Sequence, residues 1–140
     1  MRKIKYIVVH HTGSKWGSAE TIIHWHTDPK PKGNGWSKPG YHYMINNGFP
    51  TYRSYSQNKK VKGWDGKIEG FEAGLVSEEI TSNGVLGFNS NIINVCLTGD
   101  FDNDIPTAAQ LNALEVLCFK LMKKYKLSPE DVIGQMMQLR

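Results

Sequence analysis

The sequence has little cysteine and no long apolar segment. Its two cysteines, Cys96 and Cys118, stand within apolar runs, so we expect buried thiols and no disulfide framework. No apolar run approaches the roughly 20 residues that a membrane-spanning helix requires. The apolar segment after Met1-Arg2-Lys3 is too short for a signal peptide. The sequence thus predicts neither a disulfide-rich nor a membrane-spanning protein.

Charge of one sign is not concentrated anywhere in the chain. The formal charge is +4 and the lysines are scattered, without the long basic block that would favour a nucleic-acid partner. A mildly basic surface also suits an anionic polymer such as a bacterial wall. The 140 residues, 39 % hydrophobic and 21 % charged, predict one globular domain, residues 1–140, with a sizeable core.

The segment that orders the rest of the chain is an unbroken β-branched run, residues 7–9, followed at once by His10-His11-Thr12. Such a run is typical of a strand buried on both faces. Alternation places His10 and His11 on opposite faces, so at most one of them reaches a given cleft. A histidine there is well held to ligate a metal or to act as an acid or base; the alternative is that both only cap a core strand.

The other elements are predicted from periodicity, capping and turn signals. The clearest is a helix with Thr107 as N-cap and Gln110 completing a capping box. The predicted elements are helices at 18–27, 77–80 and 107–125, and strands at 41–45, 49–55, 91–98 and 132–134. Residues 56–89 form the longest connection, which is usually a functional or partly mobile segment in a compact domain.

Eight short motifs then occur in one order along nearly the whole chain. They are Ile7-Val8-Val9-His10-His11-Thr12, Trp25-His26, Gly40-Tyr41-His42-Tyr43, Gly48 with Arg53, Gly87-Phe88-Asn89, Ile93-Asn94-Val95-Cys96-Leu97-Thr98-Gly99-Asp100-Phe101, Pro106-Thr107-Ala108-Ala109-Gln110-Leu111 and Val132-Ile133-Gly134. In this order the chain resembles the zinc-dependent N-acetylmuramoyl-L-alanine amidases of the type shared with phage lysozymes and peptidoglycan recognition proteins.

The resemblance implies an α/β fold: a central mixed β-sheet flanked by helices, with a long substrate groove on one face. It implies peptidoglycan or a muropeptide as partner, and hydrolysis of the amide between N-acetylmuramic acid and L-alanine of the stem peptide. By resemblance His10 is a zinc ligand and Tyr41 assists catalysis beside the metal. Trp36 and Asn89 are expected to line the groove. For Tyr41 the alternative is a strand aromatic that packs under the Trp36 loop.

Several positions depart from the family pattern. Gln135 stands where the family has its second zinc ligand, a histidine, and an amide oxygen is a poor zinc ligand. The third ligand, a cysteine or aspartate, is expected beyond Arg140, so the C-terminus looks truncated. All five histidines lie at or before His42. The connection from Arg53 to Asn89 is longer than usual in the family, which suggests an insertion at about 56–88. We therefore expect zinc to bind weakly or not at all.

Three functional hypotheses follow. The chain is a working amidase whose metal site is completed by a residue that the pattern does not reveal, or it binds peptidoglycan without cleaving it. A third hypothesis is a protein–protein module on the same fold, which an exposed apolar patch on the insertion would favour. The expected absence of a signal peptide fits a phage-type lysin released by lysis, or another route of export.

Overall fold

The fold is a five-stranded mixed β-sheet with helices on both faces. The computed structural model describes residues 2–83 and 89–134. Its strands are β1 (Tyr6–His11), β2 (Tyr43–Asn47), β3 (Asp65–Glu69), β4 (Ile92–Leu97) and β5 (Val132–Gly134), and its α-helices are α1 (Ala19–Thr27), α2 (Tyr52–Ser56) and α3 (Ala108–Tyr125). Short 3₁₀ helices occur at Phe71–Ala73 and Pro129–Asp131. The predicted fold class is confirmed.

The strand order is β3-β2-β4-β1-β5. β4 pairs in parallel with β1 and β2, β1 pairs in parallel with β5, and only β2 and β3 are antiparallel. All six residues of β4 are buried, so β4 rather than β1 holds the centre of the sheet. β1 is nevertheless paired on both sides, with His10 in register with Cys96 of β4. The end of β1 is therefore held firmly.

The two sheet faces carry separate apolar clusters because side chains alternate along each strand. One face packs on α3 through Ile7, Val9, Ile45, Ile93, Val95, Leu97, Leu117, Cys118 and Leu121. The other face packs on α1 through Ala19, Ile22, Met44, Leu75 and Cys96. Val8, His10 and Asn94 alternate with the residues of the first cluster, so they belong to the α1 face. Both cysteines are free and buried, as predicted.

The strand predicted at 49–55 is wrong: the chain forms helix α2 there. Thr51 ends the extended segment after Pro50, and its side chain accepts a hydrogen bond from the Ser54 backbone N–H at 3.1 Å. The Ser54 hydroxyl accepts one in return from the Thr51 backbone N–H at 3.2 Å. This reciprocal cap favours a helical turn over a strand. The antiparallel partner of β2 is instead β3, within the long connection.

The short helix predicted at 77–80 is also wrong. The segment is a turn, closed by a hydrogen bond from the Ile80 N–H to the Ser77 carbonyl at 2.9 Å. The nearest helical segment is the 3₁₀ helix at Phe71–Ala73. Helices α1 and α3 and strands β2, β4 and β5 lie within two residues of their predicted positions. Their strong periodicity and capping made them predictable.

The start of α3 is tied to the sheet by one buried amide. The Gln110 side chain is 0 % exposed, and its Nε2 donates to the carbonyls of Ile45 at 3.0 Å and Thr98 at 2.8 Å. Its Oε1 accepts from the Thr107 backbone N–H at 3.0 Å. The predicted capping box is therefore confirmed, and the same side chain also joins the ends of β2 and β4.

We predict that Gln110→Ala lowers the free energy of unfolding by about 3 kcal/mol, because it opens a cavity and removes the Nε2 donor from buried carbonyls. Urea unfolding followed by circular dichroism measures the loss. Gln57→Ala is the matched control at an exposed glutamine, and we expect a change within about 0.5 kcal/mol there. Similar losses in both variants would contradict the structural role of Gln110.

Candidate functional site

Four rings from separate segments form a continuous series on the α1 side of the sheet. Ring centroids are 5.2 Å apart for His10 and Tyr41, 5.3 Å for Tyr41 and His26, and 4.6 Å for His26 and Trp36. His10 lies in β1, His26 in the last turn of α1, Tyr41 two residues before β2, and Trp36 in the loop between them. We call these four residues the ring cluster. It brings together His10, Tyr41 and Trp36, which the sequence analysis singled out.

The ring cluster runs from the protein surface into the sheet. Trp36 is 38 % exposed and His10 only 5 %. His26 and Tyr41, between them, are half-buried. The arrangement offers an accessible aromatic ring at one end and a buried imidazole at the other. Such a combination of apolar surface and a few placed polar groups is typical of ligand sites.

The loop that carries Trp36 is anchored to the end of α1. The Trp36 backbone N–H donates to the His26 carbonyl at 2.9 Å, and the Asn34 backbone N–H donates to the Trp25 carbonyl at 2.9 Å. The Gly40 N–H donates to His26 Nδ1 at 2.9 Å, so the neutral ring carries its proton on Nε2. Burial, reinforced by the nearby His10, lowers the pKa of His26 to about 4. His26 is therefore neutral at pH 7.

A buried hydrogen-bond chain fixes the tautomer of His10. The Ser82 hydroxyl donates to the Gly40 carbonyl at 2.9 Å, so its oxygen accepts from Asn94 Nδ2 at 2.7 Å. Asn94 Oδ1 then accepts a hydrogen bond from the His10 Nε2–H group, at a distance of 2.7 Å. The neutral His10 ring therefore has its lone pair on Nδ1. Burial lowers the pKa of His10 to about 4, although the Asn94 hydrogen bond opposes that shift.

Tyr41 joins the ring of His10 to the apolar core beneath it. Its ring contacts His10, and it also packs on the apolar cluster of the α1 face. Burial raises the pKa of the Tyr41 hydroxyl well above its ordinary value, and interaction with the Cys96 thiol raises it further. The hydroxyl is thus protonated at neutral pH, and it is hydrogen-bonded to that buried thiol. Its part in catalysis stays a prediction.

The donor groups around His10 do not make a zinc site within the described residues. A metal-binding histidine usually donates its second ring N–H to a fixed acceptor, which Asn94 provides. However, residues 2–83 and 89–134 contain no group of three His, Cys, Asp or Glu side chains that could hold a metal ion. Cys96 is nearby, but burial raises the pKa of its thiol and disfavours the thiolate that zinc prefers. Gln135 lies outside the described residues.

Asn89 lies away from the ring cluster. It stands just before β4, where its carbonyl accepts a hydrogen bond from Arg2 at 3.3 Å. Cys96, the residue in register with His10, is near the other end of that strand, about 13 Å along it at 3.3 Å per residue. Substrate binding by Asn89 stays a prediction. The preceding motif residues, Gly87 and Phe88, lie outside the described residues.

Sequence reasoning did not single out three residues of this region: His26, Ser82 and Asn94. His26 stood within a recognised motif but had no predicted role. Asn94 carried a signal of its own, because it is a polar residue in an otherwise apolar strand and is 0 % exposed. A buried amide requires hydrogen-bond partners on both sides. Ser82 carried no comparable signal, since it lies in an irregular connection.

Solved structures identify the class of fold. N-acetylmuramoyl-L-alanine amidase LysC from Clostridium intestinale URNW is similar with a TM-score of 0.70 and 22% identity, over 95% of this chain and 70% of that one. Bumblebee PGRP-SA has a TM-score of 0.64 and 22% identity, over 96% and 71%. Human PGRP-IBETAC, in complex with glycosamyl muramyl pentapeptide, has a TM-score of 0.65 and 21% identity, over 96% and 72%. The fold is that of amidases and peptidoglycan recognition proteins.

The family follows from the sequence itself. The family model described as N-acetylmuramoyl-L-alanine amidase matches residues 1–138, so the chain belongs to that family. The resemblance noted in the sequence is thereby confirmed. Comparison with curated proteins finds no match. In the described part of the chain, every helix is too short or too polar to cross a membrane.

His42 is a further histidine of this region, and it is buried. His42 Nδ1 accepts from the Asn94 backbone N–H at 2.9 Å, and its Nε2 donates to the Ile80 carbonyl at 2.7 Å. Burial lowers the pKa of His42 to about 4, and the neighbouring Arg2 adds to that shift. The imidazoles of His10, His26 and His42 are therefore all neutral in the folded protein at pH 7.

We predict that acidification destabilises the protein between about pH 6.5 and pH 4. In that window the unfolded histidines bind protons and the folded ones do not, so stability falls as pH falls. From pH 7 to pH 5 we expect a loss of about 2 to 4 kcal/mol, allowing for solvent screening. Urea unfolding at a series of pH values measures it.

His26→Gln should reduce that pH dependence by removing one buried imidazole. His24→Gln, which removes an exposed imidazole from the same helix, is the matched control. Equal pH dependence in the wild type and in His26→Gln would show that the folded His26 is not held neutral.

Proposed function

We propose that this protein binds peptidoglycan through the ring cluster and does not cleave it at an enzymatic rate. The observation that carries the proposal is the series of four rings from exposed Trp36 to buried His10. Membership of the amidase family supports peptidoglycan as the partner. The human relative whose structure holds glycosamyl muramyl pentapeptide supports a ligand that is part sugar and part peptide.

The chemistry of the ring cluster suits the sugar and amide groups of a glycopeptide. An exposed indole such as Trp36 offers an apolar face to the C–H groups of a sugar ring, and its N–H offers a hydrogen bond. His26 carries a proton on Nε2 and can donate a hydrogen bond to an amide carbonyl, whereas the Tyr41 hydroxyl is hydrogen-bonded to the buried Cys96 thiol. Because His10 and His26 are neutral at pH 7, the site does not attract ligands by charge.

The proposed lack of cleavage follows from the donor set. His10 offers one imidazole lone pair, and the position of the second family ligand holds Gln135, a neutral amide. With one imidazole and one amide as its protein ligands, a zinc ion would be coordinated mostly by water or buffer molecules. Hydrolysis of an amide by this family requires an activated water and stabilisation of an oxyanion, and neither is supplied well by such a set.

For binding, we predict that Trp36→Ala weakens the affinity for a soluble disaccharide-peptide muropeptide by about tenfold, since a stacked ring is worth about 1 to 2 kcal/mol. Isothermal titration calorimetry measures the affinity. Phe119→Ala is the matched control, because Phe119 is an aromatic residue of α3 that is 61% exposed. Unchanged affinity in Trp36→Ala would place the ligand elsewhere, and equal loss in both variants would indicate nonspecific binding.

For catalysis, we predict no appreciable release of stem peptide from purified peptidoglycan, with or without added zinc. Gln135→His tests the donor set, and we expect it to raise zinc affinity measured by calorimetry. The competing hypothesis is a working amidase, favoured by the fixed tautomer of His10 and the contact of Tyr41 with it. Hydrolysis by the unmodified chain, lost in His10→Ala, would establish that hypothesis and overturn ours.

A further inference from the structure

A cleft of about 420 Å³ lies apart from the ring cluster, between α2 and the segment that follows it. The charged side chains in its walls are all basic. The walls include Arg53, Gln57, Lys59, Lys60, Val61 and Lys62, and among residues 2–83 and 89–134 no acidic or aromatic side chain lines them. Four basic residues of the described chain thus contribute to the lining of one concave surface.

The backbone that carries these cations is fixed by hydrogen bonds. The Lys59 N–H donates to the Ser54 carbonyl at 2.9 Å, and the Val61 N–H donates to the Gly48 carbonyl at 2.9 Å. The stem of Lys60 packs so closely on Gly48 that a Cβ at Gly48 would lie 2.8 Å from Lys60 Cδ. The segment therefore presents its charges from a held backbone, which lowers the entropic cost of ligand binding.

Most of this positive charge is not neutralised by the protein. Lys60 pairs with Asp65 at 3.0 Å. Within residues 2–83 and 89–134, Arg53, Lys59 and Lys62 make no ion pair with an acidic side chain. Three cations therefore remain for an external anion.

We propose that this cleft binds a linear polyol-phosphate polymer, the anionic phosphodiester component of a bacterial wall. An exposed ion pair is worth only about 0 to 1 kcal/mol, so one free phosphate would bind too weakly to be held. A chain with one negative charge per repeat can engage several cations together. Because no aromatic ring lines the cleft, it lacks the stacking surface that single-stranded nucleic acids use.

This inference goes beyond the proposed function, since it concerns a second wall polymer at a second surface. Binding at the cleft would add to binding at the ring cluster when both polymers occur in one wall. The two sites share no residue, so each can be removed without the other. The failure of either proposal is therefore distinguishable from the failure of the other.

The experiment uses purified poly(glycerol phosphate) and the full chain. We expect the triple variant Arg53→Gln/Lys59→Gln/Lys62→Gln to lose at least tenfold in affinity at 50 mM salt. The matched control is Lys3→Gln/Lys5→Gln/Lys120→Gln, which removes the same charge from exposed lysines elsewhere. We expect that control to change the affinity less than threefold. Equal losses in both triple variants would mean attraction by net charge only and would overturn the site.

Binding measurements with two other phosphate compounds identify the class of ligand. Inorganic phosphate at the same phosphate concentration should not bind measurably, and an oligothymidylate with the same number of phosphates should bind more weakly than the polyol polymer. Equal or tighter binding of the oligonucleotide would overturn the assignment to a wall polymer. Circular dichroism and muropeptide affinity should be unchanged in the cleft variant, which separates this result from misfolding and from the ring cluster.

Discussion

The side-chain amide of Asn94 is the constraint on which the site depends. It lies at the centre of the sheet, 0 % exposed, where an unpaired polar group would cost about 1 to 3 kcal/mol. Its oxygen accepts from His10 and its nitrogen donates to Ser82, so one residue joins β1, β4 and the connection before β4. Its backbone N–H is also held by His42. Because every partner is buried or partly buried, none can move without leaving another unsatisfied.

Burial sets the electrostatic character of the ring cluster and of the neighbouring His42. Desolvation keeps His10, His26 and His42 neutral, each with a pKa of about 4. A site lined by neutral imidazoles and a protonated phenol discriminates by shape and hydrogen bonds rather than by charge. The cation-lined cleft has the opposite character, since its charges are exposed and largely unpaired. The two surfaces therefore differ in the chemistry by which each could recognise a ligand.

Much of the fold was predictable because local signals agreed with the tertiary structure. The apolar run before His10 and the capping box of Thr107 each specify one element without competition. The strand predicted at 49–55 failed because a reciprocal cap at Thr51 outweighed the β-branched and aromatic composition. In the site, the family resemblance singled out His10 and Tyr41, and Trp36 was expected to line the groove; the functional roles of all three stay predictions. The contact between Ser82 and Asn94 joins residues through the fold alone, so periodicity could not reveal it.

The hydrogen bond from His10 to Asn94 also explains how a buried histidine is accommodated near the end of β1. A buried imidazole whose ring N–H had no acceptor would destabilise β1. Here Asn94 satisfies that N–H, and the low pKa keeps the ring uncharged, so β1 packs fully in the protein alone. His10 can persist for its packing with Tyr41 and its place in the ring cluster, which is why its presence alone does not establish catalysis.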